Sequence, residues 1–216
     1  MQTTDTPGRT PQRGDAHANR RRILAAARQK LREDPDASLD SIAQAAGVAR
    51  RTLYGHFPSR EALVADLTQE AGQALQRAFA AVRVQDADPV ETMARMVLAA
   101  WAVGGQYRML VSLGRRHLGE TAIRATLAPA REAAIASLRR GQHQGVFARH
   151  VPAPVLARVL EALMLALAEE DAACTWADPT GEAAATAFLV AAGVAPPTAA
   201  RQVQDVVRQG RAAGAG

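Results

Sequence analysis

The side chains best suited to binding another molecule lie in one stretch, GVARRTLYGHF, at residues 47–57. Two adjacent arginines, Arg50 and Arg51, can each place a pair of N–H donors on O6 and N7 of guanine in the major groove of DNA. The other polar side chains of the stretch can donate hydrogen bonds to phosphate oxygens. They are Thr52, Tyr54 and His56. This combination predicts recognition of a nucleic acid rather than bond-making chemistry.

A helix that reads DNA must be held rigidly on one face and must present polar groups on the other. The apolar residues of the stretch fall on the inner face of a helical wheel: Val48, Leu53 and Phe57. Arg51 and Thr52 point away from that face. Ser38 is a good N-cap for a preceding short helix, and Gly47 suits the turn after it because glycine readily takes a positive φ. Two short helices joined by a tight turn form a helix-turn-helix pattern.

Positive charge is concentrated in the same part of the chain. Residues 1–60 hold 11 Lys and Arg against 6 Asp and Glu, a balance of +5, whereas residues 61–216 hold 15 of each, a balance of zero. A basic bias of this kind points to a polyanion, with nucleic acid the leading candidate. On charge alone a solvated basic face is the alternative, and the helix-turn-helix pattern favours DNA.

The composition predicts an all-α protein. Hydrophobic residues make up 48% of the chain but aromatic residues only 4%, and alanine, leucine and arginine are strong helix formers. Residues 1–14 are predicted to be a disordered arm, with Asp15 as the cap of the first helix. Later helices are expected over residues 39–46, 50–57, 59–84, 89–103, 107–113, 121–144, 154–172 and 180–194. The tail after them is expected to be weakly helical.

The segment SLDSIAQAAGVARRTLYGHFPSREALVADL, Ser38 to Leu67, resembles the tetracycline-repressor (TetR) family of bacterial regulators. Its GV turn and its TLY, HF and SREAL motifs come in the order and spacing of that family, and the resemblance is specific over residues 23–67. It implies base reading by Arg50 and Arg51. It implies phosphate contacts by Ser38, Thr52, Tyr54, His56 and Arg60. One departure is Ala49, where the family often has a serine that caps the recognition helix.

The resemblance also implies two domains. The first is an N-terminal three-helix helix-turn-helix DNA-binding domain over residues 15–62. The second is a C-terminal helical ligand-binding and dimerisation domain over residues 63–210, whose last two helices would meet a second subunit. The expected dimer interface consists of Val155, Val159, Leu163, Leu167, Phe188 and Ala192. The expected ligand pocket consists of Met96, Trp101, Tyr107 and Met164. For both sets the alternative is ordinary packing within the subunit.

Other classes of protein are disfavoured. The sequence contains none of the H-E-x-x-H, G-x-S-x-G or C-x-x-C motifs, so no catalytic residue, metal or cofactor is predicted. No apolar run reaches about 18 residues, and the lone Cys174 fits a reducing cytoplasm. We therefore expect a cytoplasmic homodimer that represses transcription from a near-palindromic double-stranded DNA operator and responds to a small-molecule effector. The alternative is a helix-turn-helix dimer without an inducer.

Overall fold

The computed structural model describes residues 11–82, 88–107, 109–172 and 176–213. Every regular element in these ranges is an α-helix, which confirms the predicted all-α class. The helices are α1 (Pro11–Glu33), α2 (Leu39–Ala45), α3 (Arg50–His56), α4 (Arg60–Ala81), α5 (Pro89–Tyr107), α6 (Met109–His143), α7 (Ala153–Ala172), α8 (Glu182–Ala191) and α9 (Pro196–Ala213). None of these helices is long and apolar enough to cross a membrane.

The chain forms two compact units, Met1–Leu67 and Thr68–Gly216. The change of unit falls inside α4, five residues later than the predicted boundary at residue 62. The first unit is built around a small core, because three short helices and the start of α4 each turn one apolar stripe inward. Its fully buried large side chains are Ile23, Leu31, Ile42, Leu53, Phe57, Leu63 and Leu67.

The first helix begins earlier than the sequence indicated. It starts at Pro11, so residues 11–14 are helical rather than part of a disordered arm, and Asp15 lies inside the helix instead of capping it. Proline suits the first turn of a helix, since its missing N–H would have no partner there in any case. Residues 1–10, the rest of the predicted arm, lie outside the described residues.

The middle of the second unit is one long element with a sharp bend. The two helices expected at residues 107–113 and 121–144 are the two segments of α6, which meet at Gly119 with φ 78° and ψ 165°. These angles are outside the helical region, and a positive φ is a conformation that glycine adopts at little cost. Pro129 lies within the second segment.

The C-terminal tail is more ordered than expected. Residues predicted to be weakly helical form the 18-residue helix α9, which packs against α5 and α8. Its buried side chains, Ala199, Val203 and Val206, are spaced four and three residues apart, so they form a single stripe. The tail is therefore held by tertiary packing rather than by the propensity of its individual residues.

Candidate DNA-binding helix and effector cavity

The turn that leads into α3 is fixed from two sides. Before it, the Ser38 hydroxyl accepts a hydrogen bond from the backbone N–H of Ser41 at 3.1 Å and so caps α2. After α2, Gly47 takes φ 62°. The guanidinium of Arg22, from α1, donates to the carbonyl oxygens of Ala46 and Gly47 at 3.1 and 2.8 Å. These bonds tie the turn to α1 and fix the direction in which α3 leaves it.

The inner face of α3 is anchored as its pattern predicted. Leu53 and Phe57 are fully buried, and Val48 is half-buried in the turn before the helix. The guanidinium of Arg20 lies 5.6 Å from the centre of the Phe57 ring and forms an ion pair with Asp66 of α4. A cation near a ring face is attracted to it, so Arg20 links α1, α3 and α4 around one aromatic side chain.

The outer face of α3 carries the polar residues that the sequence singled out. Arg51 is exposed and has no hydrogen bond or ion pair with the described residues. Arg50 contacts Asp40 at 2.7 Å, and its guanidinium lies 5.7 Å from the centre of the Tyr54 ring. The side chain of Arg50 is 70% exposed and that of Asp40 is 43% exposed, so the pair is weak and Arg50 can exchange Asp40 for another acceptor.

The remaining polar residues of α3 are also accessible, and they make it a candidate recognition helix. Tyr54 is 38% exposed, and Thr52 and His56 are partly exposed. At the start of the helix, Ala49 occupies the N-cap position and provides no side-chain hydrogen bond. That absence is the departure from the family pattern already visible in the sequence.

Arg60 differs from the other DNA-contact candidates because its side chain already makes hydrogen bonds that hold the fold together. Its guanidinium donates to the carbonyl oxygen of Ala37 at 2.6 Å and also to that of Pro35. These bonds tie the first turn of α4 to the loop between α1 and α2. The sequence could not show them, since they join residues 23 and 25 positions apart. A phosphate contact by Arg60 stays a prediction.

Two substitutions at Arg60 separate the tether from a phosphate contact. Arg60→Lys keeps the charge but loses the planar pair of donors, whereas Arg60→Gln loses the charge as well. We expect both variants to unfold at a lower temperature than the wild type. If the charge meets a phosphate, only Arg60→Gln lowers the slope of log affinity against log salt, by about one unit. Equal slopes for all three proteins would assign Arg60 to the tether alone.

The second unit contains a cavity of about 490 Å³. Its walls come from α4, α5, α6, α7, α8 and the loop at residues 177–179, and every lining residue follows Leu67. The four residues predicted as a ligand pocket all line it: Met96, Trp101, Tyr107 and Met164. The volume falls in the range of small-molecule sites, and most of the lining side chains are apolar, as in such sites.

The main polar feature of this wall is not visible in the sequence pattern. Arg131 of α6 donates two hydrogen bonds to the carboxylate of Glu161 of α7, from Nε at 2.7 Å and from Nη2 at 2.9 Å. The hydrogen bonds to Glu161 raise the pKa of Arg131 above its usual value, which favours the charged form of the guanidinium. The pair also lines a second, more polar groove of about 350 Å³ that shares this wall. The two residues are 30 positions apart, so spacing could not reveal the pair.

Trp101 is fixed at another end of the cavity. Its Nε1 donates to the carbonyl oxygen of Asp178 at 2.7 Å, and its ring meets that of Trp176 edge-on at 5.9 Å between centres. Gly181 takes φ 77°, and a Cβ atom there would lie 2.6 Å from the indole ring. The loop before α8 therefore holds the tryptophan in one orientation.

The predicted dimer residues divide into two groups. Val155 and Val159 of α7 are 50% and 57% exposed, and Leu163 and Leu167 are half-buried, with Leu163 packed against the core. Phe188 and Ala192 are only 6% and 0% exposed and offer little surface to a second subunit, so their place in the interface stays a prediction. The helix α8 packs against α5, α7 and α9, and its exposed large hydrophobic side chain is Val190, at 37%.

Comparisons with known proteins agree with this architecture. The family model described as "Bacterial regulatory proteins, tetR family" matches residues 23–67. No curated protein sequence matches the chain. Among solved structures, the regulator LfrR from Mycobacterium smegmatis is 25% identical with a TM-score of 0.65, over 82% of this chain and 95% of that one. PfmR from Thermus thermophilus is 27% identical with a TM-score of 0.62, over 82% and 96%.

The fold extends to more distant proteins. FadR from Bacillus halodurans, at 18% identity, has a TM-score of 0.67 over 81% of this chain and 98% of that one. The match at residues 23–67 contains all of α2 and α3, and the structural matches cover both units. Members of the matched family are transcriptional regulators and not enzymes. Residues 23–67 therefore match the TetR family of transcriptional regulators, and the chain has the fold of solved regulators of that family.

Proposed function

We propose that this regulator is a homodimeric repressor that binds a near-palindromic operator and is released from it by a small molecule. The observation that carries the proposal is the presence, in one chain, of an anchored helix with an accessible polar face and a largely apolar cavity in the other unit. A DNA-binding domain alone needs no such cavity.

On the DNA side, α3 is the element that enters the major groove. Arg51 reads bases because it is exposed and makes no hydrogen bond or ion pair with the described residues. Arg50 joins it after exchanging its exposed partner Asp40. Tyr54, Thr52, His56 and the N-terminal turn of α2 at Ser38 contact phosphates and fix the register of the helix.

On the effector side, the cavity supplies the site. Its walls include the predicted residues Met96, Trp101, Tyr107 and Met164, and its volume suits a drug-sized molecule. LfrR, which is similar in fold over most of its length, has been solved in complex with proflavine. An effector acts by binding more tightly to the conformation that does not fit DNA, which shifts the population away from the operator.

On the assembly side, α7 and α8 supply the contact surface. The described residues expose only four large hydrophobic side chains, and three of them, Val155, Val159 and Val190, lie on these two helices. A two-fold interface places the same surface on both subunits and spaces the recognition helices for two half-sites, about 34–36 Å apart on one face of the duplex.

Filling the cavity tests the effector part of the proposal. Ala134 of α6 lines the cavity, and Ala136, two residues later on the same helix, is exposed outside it. Operator DNA is first selected from a random pool with the wild type, and ligands are found by their stabilisation of the protein, about 2.7 kcal/mol at a concentration of 100 Kd. We expect Ala134→Phe to bind the operator but to ignore the ligand, and Ala136→Phe to respond like the wild type.

The alternative function, a DNA-binding dimer without an inducer, predicts a different result. In that case no small molecule changes operator affinity, and Ala134→Phe and Ala136→Phe behave alike. A transcription assay with the selected operator placed over a promoter completes the test. Activation in the absence of ligand would contradict the repressor assignment while leaving DNA binding intact.

A further inference from the structure

The acidic and basic side chains of the cavity wall already have partners within the protein. Three acidic or basic side chains line the described part of the cavity: Arg131, Glu161 and Asp178. The first two form the bidentate pair, both about four-fifths buried. Asp178 is buried, and its Oδ2 accepts a hydrogen bond from the backbone N–H of Ala184 at 2.8 Å, in the first turn of α8. The positive end of the helix dipole stabilises that carboxylate.

Most neutral polar groups of the wall are also satisfied. Trp101 donates to the carbonyl oxygen of Asp178, and the Thr126 hydroxyl donates to the carbonyl oxygen of Ala122 at 3.0 Å. The Tyr107 hydroxyl donates to Glu70 at 3.1 Å, and Glu70 is itself not among the lining residues. The wall therefore has few groups left with which to hold a strongly polar ligand.

One end of the cavity keeps hydrogen-bonding capacity. The guanidinium of Arg131 uses Nε and Nη2 on Glu161, and Nη2 also donates to the carbonyl oxygen of Arg124 at 3.1 Å. Its Nη1 has no acceptor among the described residues, and the carboxylate of Glu161 can accept further hydrogen bonds. The pair lines both the apolar cavity and the polar groove beside it, so this end is where a polar group of a ligand has a partner.

We propose that the effector is an uncharged aromatic molecule with one hydrogen-bonding group, such as a hydroxyl, which binds beside Arg131 and Glu161 while its rings fill the apolar cavity. This inference rests on the proposed function, because it names the ligand class of the same cavity. A charged ligand would lose its hydration in an apolar site, and the acidic and basic side chains of the wall already have partners, so its binding would be costly. Aromatic and methionine side chains provide walls that suit flat rings of varied outline.

Three probes with one ring system and three charges test the class. At neutral pH, 2-naphthol is uncharged, 2-naphthoic acid is an anion and 2-naphthylmethylamine is a cation. Their binding to the full-length protein without DNA can be followed by calorimetry and by the fluorescence of the two tryptophans, of which Trp101 lies in the wall. We expect naphthol to bind about tenfold more tightly than either ion, a difference of about 1.4 kcal/mol. Equal or tighter binding of either ion, or no binding of all three, would overturn the proposal.

Substitution of the ion pair tests the reason for that preference. Glu161→Gln leaves Arg131 without a countercharge, so naphthoate gains affinity relative to naphthol. Arg131→Gln leaves Glu161 unpaired, so the amine gains instead. The double variant Arg131→Gln/Glu161→Gln removes both charges, so it again binds naphthol more tightly than either ion. It provides the test if either single variant unfolds. An unchanged order of the three probes in all variants that fold would show that the pair does not set ligand charge.

The same probes separate this inference from the function on which it rests. The naphthol-bound protein is mixed with operator DNA and compared with the unliganded protein. If naphthol binds with the expected preference but the DNA complex persists, the ligand class stands and release by that ligand is contradicted. If an unrelated ion releases the DNA while naphthol does not bind, the regulator responds to an effector and the ligand class proposed here is wrong.

Discussion

Arg51→Ala is expected to weaken binding to the selected operator by about 1–3 kcal/mol while leaving binding to random DNA nearly unchanged. The side chain lies on the exposed face of α3 and makes no hydrogen bond or ion pair with the described residues, so its removal disturbs little inside the protein. A bidentate contact to guanine O6 and N7 discriminates between bases, whereas phosphate contacts act on every sequence alike. Fluorescence anisotropy with operator and scrambled duplexes at one salt concentration measures the affinity for specific and for random DNA.

Two further variants isolate the contribution of the guanidinium fork. Arg51→Lys keeps the charge but not the fork, so we expect it to lose discrimination between duplexes while retaining affinity for random DNA. Arg32→Ala removes one charge from an exposed position at the end of α1 and controls for a general electrostatic effect. Equal losses on operator and random DNA in Arg51→Ala would move Arg51 from base reading to phosphate binding.

Local features of the first unit were predictable from the sequence because they depend on neighbouring residues. The Ser38 cap, the positive φ at Gly47 and the burial of Leu53 and Phe57 all follow from spacing within a few residues. The roles of Arg22 and Arg60 did not follow. Each side chain reaches carbonyl groups 23 to 25 positions away, and a long flexible side chain has no periodicity that reveals its partner.

In the second unit, the sequence pattern predicted which large apolar side chains line the cavity, but it did not predict which face of α8 is buried. Met96, Trp101, Tyr107 and Met164 come from two helices and line one cavity, as expected for large side chains on amphipathic helices. In α8, however, almost every residue is apolar, so a stripe spaced by four residues does not distinguish the core face from the exposed face. Phe188 is buried within the subunit, where α8 packs against α5, α7 and α9.

That distinction determines where the proposed dimer should be broken. Leu163 packs partly against the core, so a charge there would damage folding and assembly together. Val159 is 57% exposed on the same helix, and a charge there leaves the core intact. We expect Val159→Arg to give a monomer or a much weaker dimer whose first unit still folds but which no longer binds the operator.

The physical reason is the symmetry of a two-fold interface. An arginine near the two-fold axis lies beside the same arginine of the second subunit and loses its hydration there. Both subunits therefore contribute to the loss of association free energy. A single helix-turn-helix also makes too few base contacts to select one site, since two linked half-sites supply both the free energy and the spacing requirement. Loss of the dimer is therefore expected to remove specific binding even though Arg51 and the rest of α3 are unchanged.

Light scattering at micromolar concentration gives the mass, and far-ultraviolet circular dichroism gives the helix content of each protein. The matched control is Gln204→Arg, which adds the same charge at an exposed position of α9 and should leave mass and operator binding unchanged. A wild type that runs at the monomer mass of 22.8 kDa and still binds a palindromic duplex tightly would contradict the dimer mechanism. A Val159→Arg protein that remains a full-strength dimer would instead place the interface on a surface other than the exposed face of α7 and α8.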